Sequence, residues 1–305
     1  MKLILGIVAV AAIIVVAGNY FHAHPIAVLS PKGPIAAQQR TLIITAVLLM
    51  LIIVVPVFAL TFFFAWKYRA GKKSRYTPDW DRNPILEGSW WAIPTVIIIA
   101  LAIIAWRSSH TLDPYKPIAA ANAPMTIQVI ALDWKWLFIY PDQHLATVNY
   151  VEMPVGQPVD FEITADAPMN SFWIPQLGGQ IYAMPGMLTH LNLMASSAGT
   201  FAGSSANISG RGFSSMSFSA RAVSRGAFAQ WSSAAKASPA LTMVTYNRLA
   251  QPSQGDLATY GTPDAGLFDS VMDKYMMPMS SMPTMKSQNA PKQGNMDNMP
   301  GMSMQ

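Results

Sequence analysis

The chain has 305 residues, 52% of them hydrophobic and only 11% charged, with a formal net charge of +5. That is too apolar for an ordinary soluble protein and too mixed for a many-span transporter, so a few membrane spans joined to one soluble domain fit best. The absence of cysteine excludes disulfides, thiolate metal sites, thiol catalysis and a lipid-modified cysteine, and basic residues placed beside hydrophobic runs point to membrane topology rather than nucleic acid.

Lys2 precedes an uncharged run, residues 3–18, closed by the small residues Ala17 and Gly18. This is the layout of a secretory signal peptide over residues 1–18. An uncleaved anchor is the alternative, but about fifteen residues are few for a span, so cleavage is favoured. Residues 41–66 carry no charge and are long enough to cross a hydrocarbon core of about 30 Å, with Pro56 predicting a kink. The segment 67–86 opens with Lys67, Arg69, Lys72, Lys73 and Arg75, which places it in the cytoplasm by the positive-inside rule. Glu87 follows at the start of a second apolar run, where an acid is favourable against the helix dipole whatever its function. That run predicts a transmembrane helix over 88–107, with Trp90, Trp91 and Trp106 as interfacial anchors. Both termini then face outward, and everything after about residue 107 is extracytoplasmic.

Between residues 124 and 223 the helical period gives way to short β-branched and aromatic runs separated by Pro, Gly and Asn. Strands are expected at 126–131, 134–140, 159–164, 187–194 and 216–223, forming a β sandwich or barrel. Trp134 and Trp136 alternate along one predicted strand and so share a face that packs a core or meets a partner, with Asp133 and Lys135 solvated opposite. Residues 224–277 read as a helical extension, with helices at 225–237, 243–250 and 265–277. The segment 278–305, rich in Met, Pro, Gly, Asn and Ser, lacks the branched apolar residues needed for a core and is expected to be disordered. Its thioethers suit Cu(I), a soft ion. The histidines, at 22, 24, 110, 144 and 190, form no evident ligand cluster; His144 and His190 read as hydrogen-bonded surface or core residues. With no phosphate loop, Ser-His-Asp order or zinc spacing, catalysis by this chain alone is not expected.

Two segments carry a family resemblance: Ala131-Leu132-Asp133-Trp134-Lys135-Trp136, and the loop from Ala198-Gly199-Thr200-Phe201-Ala202-Gly203 through Met216. They resemble subunit II of the haem–copper terminal oxidases, and the likeness, including two spans followed by a β domain, extends over residues 30–277. The fold it implies is a two-helix transmembrane hairpin, a cupredoxin-like β sandwich or barrel at 124–223, and short C-terminal helices. In the cytochrome c oxidase branch that domain holds a dinuclear copper centre, its ligands given by a His-Ser-Phe segment and the pattern Cys-x-Glu-x-Cys-x-x-x-His-x-x-Met. Here Asn170 and Phe213 stand at the two histidine positions, Ser205 and Ser209 at the bridging cysteines, and Asn207 at the glutamate; Met216 alone is retained. Serine hydroxyls are hard, neutral donors that do not replace bridging thiolates.

The resemblance therefore implies the quinol oxidase branch, of cytochrome bo or ba type. It implies a non-redox docking subunit of a proton-pumping complex that oxidises ubiquinol and reduces oxygen to water in the aerobic respiratory chain. This chain would bind no cofactor, and the haems and a copper ion would reside in subunit I. Smaller membrane subunits III and IV would complete the complex, set in the bacterial inner membrane with the β domain in the periplasm. Glu87 would lie at the entrance of a proton-uptake pathway into subunit I, and Trp134 and Trp136 are candidate subunit contacts. The alternative reading is a membrane-tethered copper-handling protein that uses the Met-rich tail.

Overall fold

The computed structural model describes residues 15–16, 18–20, 26–69, 83–255 and 257–276. Most of the expected signal peptide, most of the basic loop and the whole 278–305 tail lie outside the described residues. Helix α1 (Pro34–Lys67) begins with proline at its first position, where the missing amide hydrogen leaves no bond unmade. It starts at Pro34 rather than at residue 41. Thirty-four residues span roughly 50 Å at the helical rise, well beyond the hydrocarbon thickness, so the first turns stand clear of the apolar stretch. Helix α2 (Pro84–Thr111) is capped by Asn83, whose Oδ1 accepts hydrogen bonds from the Ile85 and Leu86 amides at 3.1 and 3.2 Å. Both helices are long and apolar enough to cross a membrane, with mean hydropathies of 3.1 and 2.0 over their most apolar windows. Each continues past an internal proline, Pro56 in α1 and Pro94 in α2.

The first turn of α1 is bolted to the β domain by main-chain bonds. The Lys32 and Ala36 amides donate to the Gln176 and Leu177 carbonyls at 2.7 and 3.1 Å, and the Ser196 amide donates to the Lys32 carbonyl at 2.7 Å. Gly33 allows this approach: a Cβ there would collide with the Met194 carbonyl oxygen and sit 3.1 Å from that of Leu177. The helix extends upstream of the predicted span because this docking gives its polar first turns, with Gln38, Gln39 and Arg40, a surface to start from.

The strands are β1 (Met125–Leu132), β2 (Lys135–Tyr140), β3 (Leu145–Val148), β4 (Tyr150–Pro154), β5 (Val159–Ala165), β6 (Asn170–Trp173), β7 (Ile181–Ala183), β8 (Thr189–Leu193), β9 (Gly199–Ser205), β10 (Ser217–Val223) and β11 (Ala258–Tyr260). They form a six-stranded sheet in the order β11-β3-β2-β1-β5-β8 and a five-stranded sheet in the order β4-β10-β9-β6-β7. The main core lies between the sheets and includes Ile127, Val129, Trp136, Phe138, Phe161, Phe172, Phe201 and Phe218. A second core covers the outer face of β1, β2 and β3. There Ile130, Leu132, Leu137, Ile139, Ala146 and Val148 meet Leu241, Tyr246, Leu267, Phe268 and Val271 of the C-terminal extension.

That second core explains the continuous apolar run of β2, which is buried on both faces. The extension itself holds α3 (Arg225–Ala235), α4 (Met243–Leu249) and α5 (Leu267–Asp273), close to the expected helices. It is not purely helical, because β11 pairs antiparallel with β3 and closes the edge of the larger sheet. Strands β3, β4, β6, β7 and β9 lie in the expected β domain but outside the runs singled out in the sequence, and β11 lies in the extension read as helical. They are short or carry Gly, Ser and Asn, and their pairing is set by partners distant in sequence.

Candidate functional site

The positions expected from the sequence to correspond to copper ligands fall at one end of the smaller sheet. Asn170 opens β6, Ser205 closes β9, and the loop 206–216 returns the chain to β10 through a short 3-10 turn, Phe213–Ser215. Backbone bonds fix the loop's two ends: the Ser205 amide donates to the Met216 carbonyl at 3.1 Å, and the Ala206 amide to the Ser171 carbonyl at 3.0 Å. Asn170, Ser205 and Met216 are buried, Met216 being 1% exposed. Behind them lies an aromatic cluster in which Phe172 stacks on Phe218 at 5.0 Å and meets Trp136 edge-on at 5.3 Å.

The Asn170 and Ser205 side chains satisfy one another. Ser205 Oγ donates to Asn170 Oδ1 at 2.9 Å, with the Asn207 carbonyl oxygen 3.2 Å away, and the Asn170 amide donates to the Pro168 carbonyl at 2.7 Å. Ser209 Oγ is buried without a partner among the described residues, and Phe213 is half-exposed. A dinuclear copper centre needs soft, charge-sharing donors. Here the positions hold a neutral hydrogen-bonded amide–hydroxyl pair, a second hydroxyl and a phenyl ring, so the residues present do not fit that group.

Trp134 and Trp136 do not share a strand face, contrary to the alternation expected from the sequence. Asp133 and Trp134 form the two-residue turn between β1 and β2, where Leu132 pairs with Lys135, and Trp134 adopts a φ of 64°. The Trp134 ring lies over the 206–216 loop, with its indole atoms 3.5 Å from where a Cβ on Gly210 would be, and a Cβ on Gly212 would enter the ring. Trp136 is fully buried in the main core, which removes it as a subunit contact. Lys135 is likewise not solvated: it is 1% exposed, and its Nζ donates to the Leu249 and Gln251 carbonyls at 2.7 and 2.9 Å and to Ser253 Oγ. Only the tertiary fold brings those acceptors, more than a hundred residues away, onto the lysine.

Glu87 lies in the first turn of α2 and is exposed. His144 is exposed in a turn at φ 52°. His190 departs from expectation, because β8 places its Nδ1 3.2 Å from both carboxylate oxygens of Asp160 on the adjacent strand. A further polar network, from the buried Tyr246 out to the exposed Lys274 and Tyr275, joins the extension to the β domain. Asp166 accepts hydrogen bonds from Tyr246 at 2.7 Å, Lys274 at 2.6 Å and Tyr275 at 2.5 Å. Burial pushes its carboxyl up, but those three donors outweigh burial and hold it below the ordinary carboxylate range. Nothing in local sequence marks Asp166, whose donors lie 80 to 109 residues away.

The family model for the cytochrome c oxidase subunit II periplasmic domain matches residues 142–223, and that for the COX aromatic rich motif matches residues 236–279. The cytochrome bo(3) ubiquinol oxidase subunit 2 of Pseudomonas aeruginosa is 49% identical over 249 residues, covering 81% of this chain and 75% of that one. The ubiquinol oxidase subunit 2 of Acetobacter aceti is 46% identical over 252 residues, 81% of this chain and 82% of that one. The quinol oxidase subunit 2 of Bacillus cereus is 36% identical over 230 residues, 74% and 79% respectively. With two apolar helices, a cupredoxin-like domain and identity of this extent, the chain belongs to the ubiquinol oxidase subunit 2 family.

Proposed function

We propose that this chain is the non-redox subunit of a proton-pumping quinol oxidase that oxidises ubiquinol and reduces oxygen to water. The observation that carries the reading is the Asn170–Ser205 hydrogen bond at the copper position, a closed neutral pair where an electron-accepting centre would need thiolates. Electrons then pass from quinol to haem in a partner subunit I, which also holds a copper ion. This chain contributes docking surface, together with smaller subunits III and IV. The two helices anchor it in the bacterial inner membrane, and the basic segment after α1 favours an orientation with the β domain in the periplasm.

Glu87 is proposed as a proton collector at the cytoplasmic edge of α2. Its support is an exposed carboxylate in the first turn of a membrane helix, at the end that follows the basic segment. The purified complex, assayed with ubiquinol and with reduced cytochrome c as alternative donors, tests the branch. Turnover with quinol alone is expected; rapid oxidation of cytochrome c without quinol activity would refute it. Glu87→Gln is expected to slow quinol-driven oxygen consumption at unchanged haem content, and an unaltered rate would remove the proton role.

A further inference from the structure

On the outer face of the larger sheet three metal-ligating side chains converge. Asp160 and Glu162 are two residues apart on β5 and so share a face. His190 sits directly opposite Glu162 in the β5–β8 ladder, and Asp160 lies one diagonal step along it. One donor atom from each lies within 4.8 Å of the other two. All three are half-buried, with His190 and Asp160 side chains 30% and 26% exposed, so the donors are held by the sheet yet open to solvent.

The surroundings resemble a supported ligand set. Gln128, paired with Glu162 across the parallel β1–β5 ladder, donates from Nε2 to Glu162 Oε2 at 3.1 Å and fixes that carboxylate's orientation. The Tyr115 ring packs at 5.8 Å from the His190 ring. Asn192, on the same face of β8, donates from its amide and its side chain to the Pro114 carbonyl at 3.0 and 3.1 Å. This seats the segment leaving α2 beside the cluster. Among the described residues no lysine or arginine forms an ion pair with Asp160 or Glu162. Among the described residues, two carboxylates therefore share a small space in which His190 is the group at ion-pair distance from Asp160.

We propose that Asp160, Glu162 and His190 form a binding site for a divalent transition-metal ion of the Zn²⁺ class. One imidazole nitrogen and two carboxylate oxygens suit a borderline ion and exclude soft Cu(I), and two negative charges balance a divalent one. At metal–ligand distances of about 2.0–2.2 Å, donors around one ion stand roughly 3–4 Å apart, so small side-chain rotations close the set. Three protein ligands leave a position for water. Occupancy neutralises the paired carboxylates and stiffens the face on which Pro114 and Tyr115 rest. The site is separate from the 206–216 loop and does not rest on the quinol oxidase reading.

The test uses the full-length protein purified in detergent with whatever subunits accompany it, stripped with chelator and equilibrated by dialysis against Zn²⁺. The wild type is expected to bind one Zn²⁺ more per chain than Glu162→Gln or the double variant Glu162→Gln/His190→Ala. Gln128→Ala is expected to weaken the same site by about tenfold, since it removes only the orienting bond. Co²⁺ in place of zinc should give visible ligand-field bands that vanish in the double variant. If the double variant fails to fold, judged by circular dichroism and thermal melting, the conservative Glu162→Gln decides the matter. Equal zinc stoichiometry and affinity in wild type and in a folded Glu162→Gln overturn the proposal.

Discussion

Replacing Asp166 by alanine removes the acceptor for three donors at once: the Tyr246 hydroxyl, the Lys274 ammonium and the Tyr275 hydroxyl. Tyr246 is 2% exposed, and a buried hydroxyl left without a partner costs about 1–3 kcal/mol. Lys274 is 58% exposed, so its share is screened and stays within about 1 kcal/mol. Together with the bond from Tyr275, the docking of α4 and α5 on the second core should weaken by about 2–4 kcal/mol. Hydrogen exchange followed by mass spectrometry reads this locally. Amides of α4 and α5 should exchange roughly 30- to 700-fold faster, while those of β1 and β5 are unchanged. Asp166→Asn retains one acceptor oxygen and should fall between wild type and alanine. The effect has a defined pH sense. The Asp166 carboxyl is lowered in the folded state, so its stabilisation is complete above the unfolded carboxylate value of about 4 and is lost as pH falls through the folded one. Unchanged protection of α4 and α5 in Asp166→Ala, or equal behaviour of alanine and asparagine, would refute the reasoning.

Lys135→Met preserves the stem of the side chain but removes the donors that hold the Leu249 and Gln251 carbonyls; a loss of about 1–3 kcal/mol, seen as a lower melting temperature, is expected. Gly212→Ala places a methyl group in the Trp134 ring, so the loop should separate from the indole at a cost of about 1–3 kcal/mol, checked by Trp fluorescence and by faster tryptic cleavage after Arg211. Single replacements Asn170→His or Ser205→Cys should not recruit copper, because each breaks the Asn170–Ser205 hydrogen bond without supplying a second bridging thiolate. The combined variant Asn170→His/Ser205→Cys/Ser209→Cys/Phe213→His should bind copper with thiolate-to-copper absorption, and its failure to do so in a folded protein would show that the loop backbone has diverged from a ligating geometry.

Much of the chain could be read directly from its sequence. Long uncharged stretches fix the two apolar helices, since nothing else accommodates so many consecutive apolar residues in water or lipid. The ordered motifs around Trp134 and Met216 fix the family, and the residue types at 170, 205, 209 and 213 already exclude thiolate-bridged copper. What local pattern could not supply was the far side of each contact. Trp134 and Trp136 alternate in sequence, yet the chain turns at Trp134 and sends one ring onto the loop and the other into the core. Lys135 is charged and reads as solvated, but carbonyls more than a hundred residues away receive it. Asp166 and His190 look isolated until strands and helices distant along the chain bring Lys274 and Asp160 to them. Sequence determines which residues must leave water and which chemistry is missing, because transfer energies and donor types belong to single side chains. The tertiary structure decides which polar groups find partners, because a buried charge or hydroxyl is tolerated only where folding delivers its complement.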